Sequence, residues 1–137
     1  MRHPRHKLCG GGVVPDVDTQ LTNLGLDLRE VPSVDVCRAQ RHFAGRGFDL
    51  QLRDIAFRVV RRREFDAWLA DRVRDAGVEL QTRTHVTGMR RIDDGWLVDT
   101  NRGAVRARTV IGADGTKGLT RRQVPSDAGS VARVVEV

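Results

Sequence analysis

The sequence predicts an α/β fold, and two neighbouring features carry that prediction. A short apolar run, Phe57 to Val60, is followed by a helical period from Arg62 to Ala76 and then by a predicted strand, Val78 to Thr82. This strand–helix–strand grouping is typical of a parallel crossover unit. The helical stretch has one apolar stripe at helical spacing, formed by Phe65, Trp68, Leu69, Val73 and Ala76.

Length and composition limit the classes of protein to which this chain can belong. The chain has 137 residues, of which 39% are apolar and 31% charged, and this fits a single folded domain. No apolar run reaches the roughly 20 residues of a membrane-spanning helix, and no apolar segment of a secretory signal follows the basic start. Cys9 and Cys37 are too few for a disulfide framework, which predicts a cytoplasmic protein.

The formal net charge of +6 allows a second interpretation, a small basic module that binds nucleic acid. The arginines are dispersed except at Arg61 to Arg63, as on an ordinary solvated surface. Aromatic residues make up only 4% of the chain and include no Tyr, which disfavours a base-stacking platform. Nucleic acid is therefore not the favoured partner.

The first half of the chain predicts a helix and then a β-rich segment near residues 34–56. The helix, Asp16 to Leu24, follows Pro15 and stops before Gly25, and its Leu21 and Leu24 are expected in the core. A glycine-containing turn separates the two strands of a predicted hairpin, Val34 to Phe43 and Phe48 to Arg53.

In the second half, Gly77 ends the central helix at the C′ position. Alternating segments and the Asp94-Gly95 turn predict further strands. These are His85 to Ile92, Trp96 to Thr100, Ala104 to Arg106 and Thr109 to Ile111, followed by a helical turn at Leu119 to Gln123 and a strand at Val131 to Val137.

The glycine-rich turn Gly112-Ala113-Asp114-Gly115 follows one of these predicted strands. Glycines in such a turn let backbone N–H groups approach a phosphate or ribose, and a carboxylate can accept a hydroxyl. Taken alone, however, an Asp-Gly pair after a strand favours an ordinary turn, and only the other motifs give the ligand-binding interpretation weight.

Cys9 lies in a basic, glycine-rich segment, beside Lys7 and before Gly10. His3 and His6 share its spacing of three, but the Cys-pair spacing of a structural zinc site is missing, so no metal site is predicted. Neighbouring positive charge favours a thiol of low pKa.

Four segments, taken together and in order, resemble the FAD-dependent oxidoreductases of the geranylgeranyl reductase and aromatic-hydroxylase type. Each is similar to one motif of the family. They are the loop Arg5-x-Lys7-x-Cys9-Gly10-Gly11, the helix start Arg62-Arg63-Glu64-Phe65-Asp66-Ala67-x-Leu69, the segment from Gly77 to Val86, and Ile111-Gly112-Ala113-Asp114-Gly115 with Arg121 after it. The Cys-Gly-Gly loop favours the geranylgeranyl reductase branch.

The resemblance implies a Rossmann-like FAD/NAD(P)-binding domain with the β-rich segment inserted. It implies FAD as cofactor, NAD(P)H as electron donor and a small-molecule substrate, an isoprenoid being the favoured example. Cys9, Gly10 and Gly11 would line the isoalloxazine and substrate region. Arg62 would contact the cofactor, Val86 would meet the adenine through its backbone, and Asp114 and Gly115 would face the pyrophosphate.

Departures from the family pattern add a further expectation. The first strand with its Gly-x-Gly-x-x-Gly turn and the later Gly-Asp motif have no counterpart in the sequence, and Gly118 stands where the family usually has Ser. Residues 1–137 are therefore expected to be an internal piece of such a domain, with impaired cofactor binding unless a complementary chain supplies the missing parts. An inactive remnant is the remaining alternative.

Overall fold

The computed structural model describes residues 3–115 and 118–123, which form a mixture of helices and antiparallel sheets. These residues fall into two compact units, divided between Leu80 and Gln81 and described separately below. The N-terminal unit contains β1 (Gly12–Val13), α1 (Pro15–Asn23), a 3₁₀ turn (Leu28–Glu30), β2 (Ser33–Val36), β3 (Arg38–Phe43), β4 (Arg46–Gln51), β5 (Phe57–Val60) and α2 (Arg62–Asp75). The C-terminal unit contains β6 (Val86–Ile92), β7 (Gly95–Thr100), β8 (Gly103–Ala107) and α3 (Leu119–Gln123).

A three-stranded sheet forms the centre of the N-terminal unit. Its strand order is β1-β5-β2, and both ladders are antiparallel, with Gly12 opposite Val59 and Val34 also opposite Val59 on the other side. The strands β3 and β4 pair only with each other in a separate hairpin. The predicted hairpin is thus confirmed, although the single strand predicted from Val34 to Phe43 is divided at Cys37.

The core of this unit is small, and its buried side chains share apolar character. They are Val13, Leu21, Leu28, Val31, Val60 and Phe65, with Leu26, Trp68 and Leu69 packed against them. The predicted apolar stripe of α2 is therefore buried only in its N-terminal half, because Val73 and Ala76 are exposed. The prediction for Leu24 is wrong: the chain reverses at Gly25, and Leu26 and Leu28 reach the core instead.

Both long helices are confirmed within one residue of their predicted ends. Gly77 has a φ of +79°, and its N–H donates to the carbonyl of Arg74 at 2.9 Å. A residue with a side chain adopts this left-handed conformation only with strain, so glycine at this position ends α2 cleanly.

The C-terminal unit is built on an antiparallel meander, β6-β7-β8. Trp96 lies opposite Arg91 on one side and opposite Ala107 on the other. The three strands and the short helix α3 confirm the predictions made for these segments.

Two predicted strands are wrong. Residues Val78–Thr82 and Thr109–Ile111 have no regular structure, and no strand within 3–115 and 118–123 pairs with either. An apolar run becomes a strand only where a neighbour accepts its backbone hydrogen bonds, and Ile111 remains 89% exposed. The predicted crossover unit therefore lacks its second strand in this part of the chain, and the strand predicted for Val131 to Val137 lies outside the described residues.

Candidate functional site

The structure brings together two sequence motifs that are 53 residues apart. The Nη1 atom of Arg62 donates to the Cys9 sulfur at 3.3 Å. Cys9 precedes β1 and Arg62 begins α2 directly after β5, so the pairing of β1 with β5 sets this distance. The N–H of Val60 donates to the carbonyl of Gly11 at 3.0 Å and continues that pairing toward Cys9.

Asp66 holds the Arg62 guanidinium in place. Its Oδ1 accepts from Nε and lies equally close to Nη2, both at 2.9 Å, one helical turn along α2. Arg5 approaches the other carboxylate oxygen at 3.5 Å, and the Asp66 side chain is only 10% exposed. A largely buried carboxylate shared by two arginines fixes the direction in which Arg62 presents its remaining N–H groups.

The surroundings of Cys9 lower the pKa of its thiol. The largest cause is a hydrogen bond from the backbone of Gly11, followed by the hydrogen bond from Arg62, and both stabilise the thiolate. The Cys9 side chain is exposed and unbridged. The cluster of Cys9, Arg62, Asp66 and Arg5, hereafter the Cys9 cluster, therefore combines a solvent-accessible nucleophile with a fixed positive charge.

The two glycines after Cys9 differ in what surrounds them. Gly11 is buried with a φ of +74°, and a Cβ there would overlap the carbonyl oxygen of Val60. A Cβ on Gly10 would meet nothing within 4 Å. Gly11 is thus required by the packing of the N-terminal unit, whereas Gly10 leaves open space beside the thiol.

The C-terminal unit has a cavity of about 610 Å³, within the size range of small-molecule sites. One wall is the meander and the other is the glycine-rich turn with α3. The lining residues are Met89, Trp96, Val110, Gly112, Ala113, Asp114, Gly115, Thr120, Arg121 and Gln123. Two of the predicted cofactor-binding residues, Asp114 and Gly115, therefore lie on the wall of one cavity together with a cationic side chain, Arg121.

The carboxylate of Asp114 is directed at α3. It accepts from the Thr120 N–H at 3.1 Å and from the Thr120 hydroxyl, and these bonds lower its pKa. A Cβ on Gly118 would overlap that carboxylate, so glycine at this position leaves room for the contact. Gly115 has a φ of +81° with open space around it, so its backbone is the part of the turn available to a ligand.

Val86 is the first residue of β6 and pairs with Thr100. It is 39% exposed and is not among the side chains that line the cavity. Its predicted contact with adenine runs through the backbone, and nothing in the described geometry tests that role.

Sequence reasoning assigned no site role to Asp66, Trp96 or Thr120. The spacing of Arg62 and Asp66 at i and i+4 on one helix was a usable signal for the ion pair. The contact of Asp114 with Thr120, and the place of the Trp96 ring on the cavity wall, depend on how the chain after the glycine-rich turn packs near the meander. No periodicity in the sequence carries that information.

Within the described parts of the chain, no group of three or more His, Cys, Asp and Glu side chains is arranged to hold a metal ion. The same residues include no helix with the length and apolar character needed to cross a bilayer. The arginine triplet is partly neutralised, because Arg61 contacts Glu64 and Arg62 contacts Asp66.

Comparison with curated proteins finds a distant relative of this chain. Over 86 residues the chain is 34% identical to digeranylgeranylglycerophospholipid reductase 1 of Methanothermobacter thermautotrophicus. This is a distant similarity, consistent with a geranylgeranyl reductase-like family and with the resemblance seen in the motifs. The match covers 55% of this chain and 22% of the relative, so the chain spans about a fifth of that protein's length.

No family model matches the chain. No solved structure matches it either, and the Rossmann-like fold class therefore stays a prediction.

Proposed function

We propose that this chain provides part of the cofactor and substrate site of a FAD-dependent reductase similar to the geranylgeranyl reductases. The observation that carries the proposal is the 34% identity with a digeranylgeranylglycerophospholipid reductase over 86 residues. The Cys9 cluster adds support, because it joins two segments that resemble separate motifs of that family. The substrate class that follows is a small molecule with isoprenoid double bonds.

Two residues of the C-terminal cavity suit a phosphate-bearing ligand. Arg121 contributes a cation to the cavity wall, and the open backbone at Gly115 can approach a phosphate closely. The Asp114 carboxylate is occupied by Thr120, so its role is to hold the turn and α3 together. In the proposal Gly115 and Arg121 hold the pyrophosphate, while Asp114 orients them and Val86 offers its backbone to the adenine.

In the N-terminal unit, the proposed roles follow from the Cys9 cluster. FAD, when bound, supplies the redox chemistry, with NAD(P)H as donor. Arg62 provides a fixed positive charge for the cofactor or for an anionic substrate group, and Asp66 keeps that charge oriented. Cys9, with open space at Gly10, is a thiol that can contact the substrate and donate or accept a proton there.

We further propose that the chain binds FAD only weakly by itself, because additional polypeptide supplies the rest of the site. Two features support this: the chain spans 22% of the relative, and Ile111, directly before the glycine-rich turn, is exposed and unpaired by any described strand. A complementary chain that adds a strand beside residues 109–111 would order the turn.

The experiment is a thermal unfolding series with added ligand. A ligand that binds the folded state raises the midpoint, and at a given ligand concentration a tighter ligand raises it more. FAD at millimolar concentration is expected to raise the midpoint, and riboflavin, which lacks the pyrophosphate, is expected to raise it less. Arg121→Ala should abolish the difference, with Arg122→Ala, an exposed neighbour outside the cavity lining, as the matched control.

Two results would count against the proposal. No midpoint shift with FAD at any concentration would remove the flavin function. A stoichiometric flavin in the purified chain, seen in its visible absorbance, would instead overturn the proposed weakness of binding while supporting the family assignment.

A further inference from the structure

The β3–β4 hairpin has two chemically different faces. In an antiparallel pair, residues directly opposite each other lie on the same face, and alternate positions along each strand share that face. The register places Ala39 opposite Leu50 and Phe43 opposite Arg46, with Phe48 between them on β4. Position 41, opposite Phe48, shares that face. The opposite face, hereafter the polar face, is formed by Arg38, Gln40, His42, Gly47, Asp49 and Gln51.

The face that carries the two Phe side chains, defined by Ala39, Phe43, Arg46, Phe48 and Leu50 and hereafter the aromatic face, is open to solvent. Phe43 is 82% exposed, Phe48 is 59% exposed and Leu50 is 45% exposed. Phe43, Arg46 and Phe48 line a groove of about 560 Å³ at the hairpin tip that also includes Ala44 and Gly47. Contiguous apolar surface of this kind, with charge at its rim, marks an interaction site.

Charge is distributed unequally between the faces. The only acidic residue of the hairpin, Asp49, lies on the polar face, where Arg38 binds it at 2.7 Å and lowers its pKa. Arg46, at the tip of the aromatic face, has no ion pair among the residues that the structure describes. The aromatic face therefore combines unburied aromatic rings with an uncompensated positive charge.

We propose that the aromatic face docks onto an anionic lipid surface. Aromatic rings are favoured at the boundary between headgroups and acyl chains, and an arginine beside them gains energy from anionic headgroups. The hairpin forms a separate two-stranded sheet, so Phe43 and Phe48 can enter the surface together without unfolding the sheet β1-β5-β2. This inference is independent of the proposed flavin function, because it uses no residue of either candidate site.

The test is co-sedimentation of the full chain with vesicles of phosphatidylcholine, either pure or containing phosphatidylglycerol. We expect binding to the anionic vesicles and little to the neutral ones. The double variant Phe43→Ser, Phe48→Ser should lower the partition coefficient by about tenfold or more, and Arg46→Glu by about fivefold.

Matched control variants distinguish vesicle binding through the hairpin from the effect of changing any exposed residue. Leu24→Ser changes an apolar side chain that is 75% exposed elsewhere in the same unit, and Arg102→Glu reverses one exposed charge outside the hairpin. Both should bind vesicles as the parent does. Phe43→Trp keeps an aromatic ring, so it should retain binding, and its added emission should be quenched by brominated lipid.

Three outcomes would overturn the proposal. The first is an equal loss of vesicle binding in the hairpin variants and the control variants. The second is that the parent chain does not bind anionic vesicles. The third is that brominated lipid does not quench the emission from Trp at position 43. If gel filtration without lipid shows that the double Phe variant dissociates an oligomer, a second copy of the chain is the occupant and the lipid assignment is wrong.

Discussion

At the scale of single residues, the contact between Cys9 and Arg62 depends on a third side chain. Arg62 could adopt many rotamers, but Asp66 binds it through Nε and Nη2 and leaves Nη1 for the sulfur. The charge on Arg62 is constant at all accessible pH values. The thiolate is thus stabilised by a cation whose position is fixed by a carboxylate one helical turn away.

This arrangement predicts how Cys9 responds to pH. Arg62→Gln removes one of the two hydrogen bonds that lower the thiol pKa, so the midpoint of the pH–rate profile for iodoacetamide alkylation should move upward. At neutral pH the rate of Cys9 alkylation should fall by about two- to fivefold, the range that an exposed ion pair supports. Arg63→Gln is the control, since Arg63 is exposed and has no ion pair in the described structure. An unchanged profile in Arg62→Gln would contradict the role assigned to Arg62.

A second prediction concerns Gly118. In Gly118→Ser the new Cβ competes with the Asp114 carboxylate for the same space, so the two bonds from Thr120 to Asp114 should break. Hydrogen exchange of the Thr120 amide, measured by NMR, should accelerate by roughly fivefold, as expected for loss of a helix cap. Gly10→Ser, where a Cβ has open space, should leave the Thr120 amide unchanged. An equally protected amide in both variants would contradict the steric argument.

At the scale of elements, the N-terminal unit is stabilised by a core of few side chains, and two leucines near the end of α1 differ sharply in their contribution. Leu28 is fully buried in the 3₁₀ turn, whereas Leu24 is 75% exposed at the end of α1. The reversal at Gly25, with a φ of +73°, directs the chain after α1 back across the sheet. Leu28 in the short 3₁₀ turn therefore contributes more apolar burial than Leu24, which caps the helix.

This difference gives a matched pair of variants. Leu28→Ala should lower the free energy of unfolding of the N-terminal unit by about 2–5 kcal/mol, because it leaves a cavity in a small core. Leu24→Ala should change it by less than about 0.5 kcal/mol. Urea denaturation followed by Trp68 fluorescence measures both, since Trp68 packs against this core. Similar losses in the two variants would mean that the core is assigned incorrectly.

Local sequence signals predicted most elements but not their partners. The helices α1, α2 and α3, the hairpin β3–β4 and the meander followed from period, caps and turn residues. The failures at Val78–Thr82 and Thr109–Ile111 have one cause: a strand depends on a neighbour, and apolar alternation does not reveal whether one is present. The contact between Cys9 and Arg62 was likewise not predicted, although each residue was assigned to a motif. The contact depends on the pairing of β1 with β5, which joins segments that are far apart in the sequence.

At the scale of the whole molecule, the chain consists of two compact units joined through a segment without regular structure, residues 78–85. Within that segment Arg83 is exposed and has a φ of +58°, which is strained for a side-chain-bearing residue. The Asn101 side chain restrains this region by donating to the Arg83 carbonyl at 3.3 Å and accepting from the His85 N–H at 2.7 Å.

Limited digestion with trypsin should therefore cut after Arg83 before it cuts within α2, since proteases need an accessible segment outside regular structure. Mass spectrometry should find products that end or begin at this site before any cut within α2, whose arginines lie in a regular helix. Asn101→Ala should accelerate the cut by several-fold, and Asn23→Ala, at the exposed end of α1, should not. Early cleavage inside α2 would contradict the division into two units.

The close approach of Gly11 to Val60 links the thiol's chemistry to the integrity of the sheet. Because the Gly11 backbone both lowers the pKa of Cys9 and accepts the hydrogen bond from Val60, detachment of β1 from β5 should raise the thiol pKa. The alkylation rate of the Cys9 sulfur, measured through a denaturant series, should therefore follow the opening of the sheet β1-β5-β2.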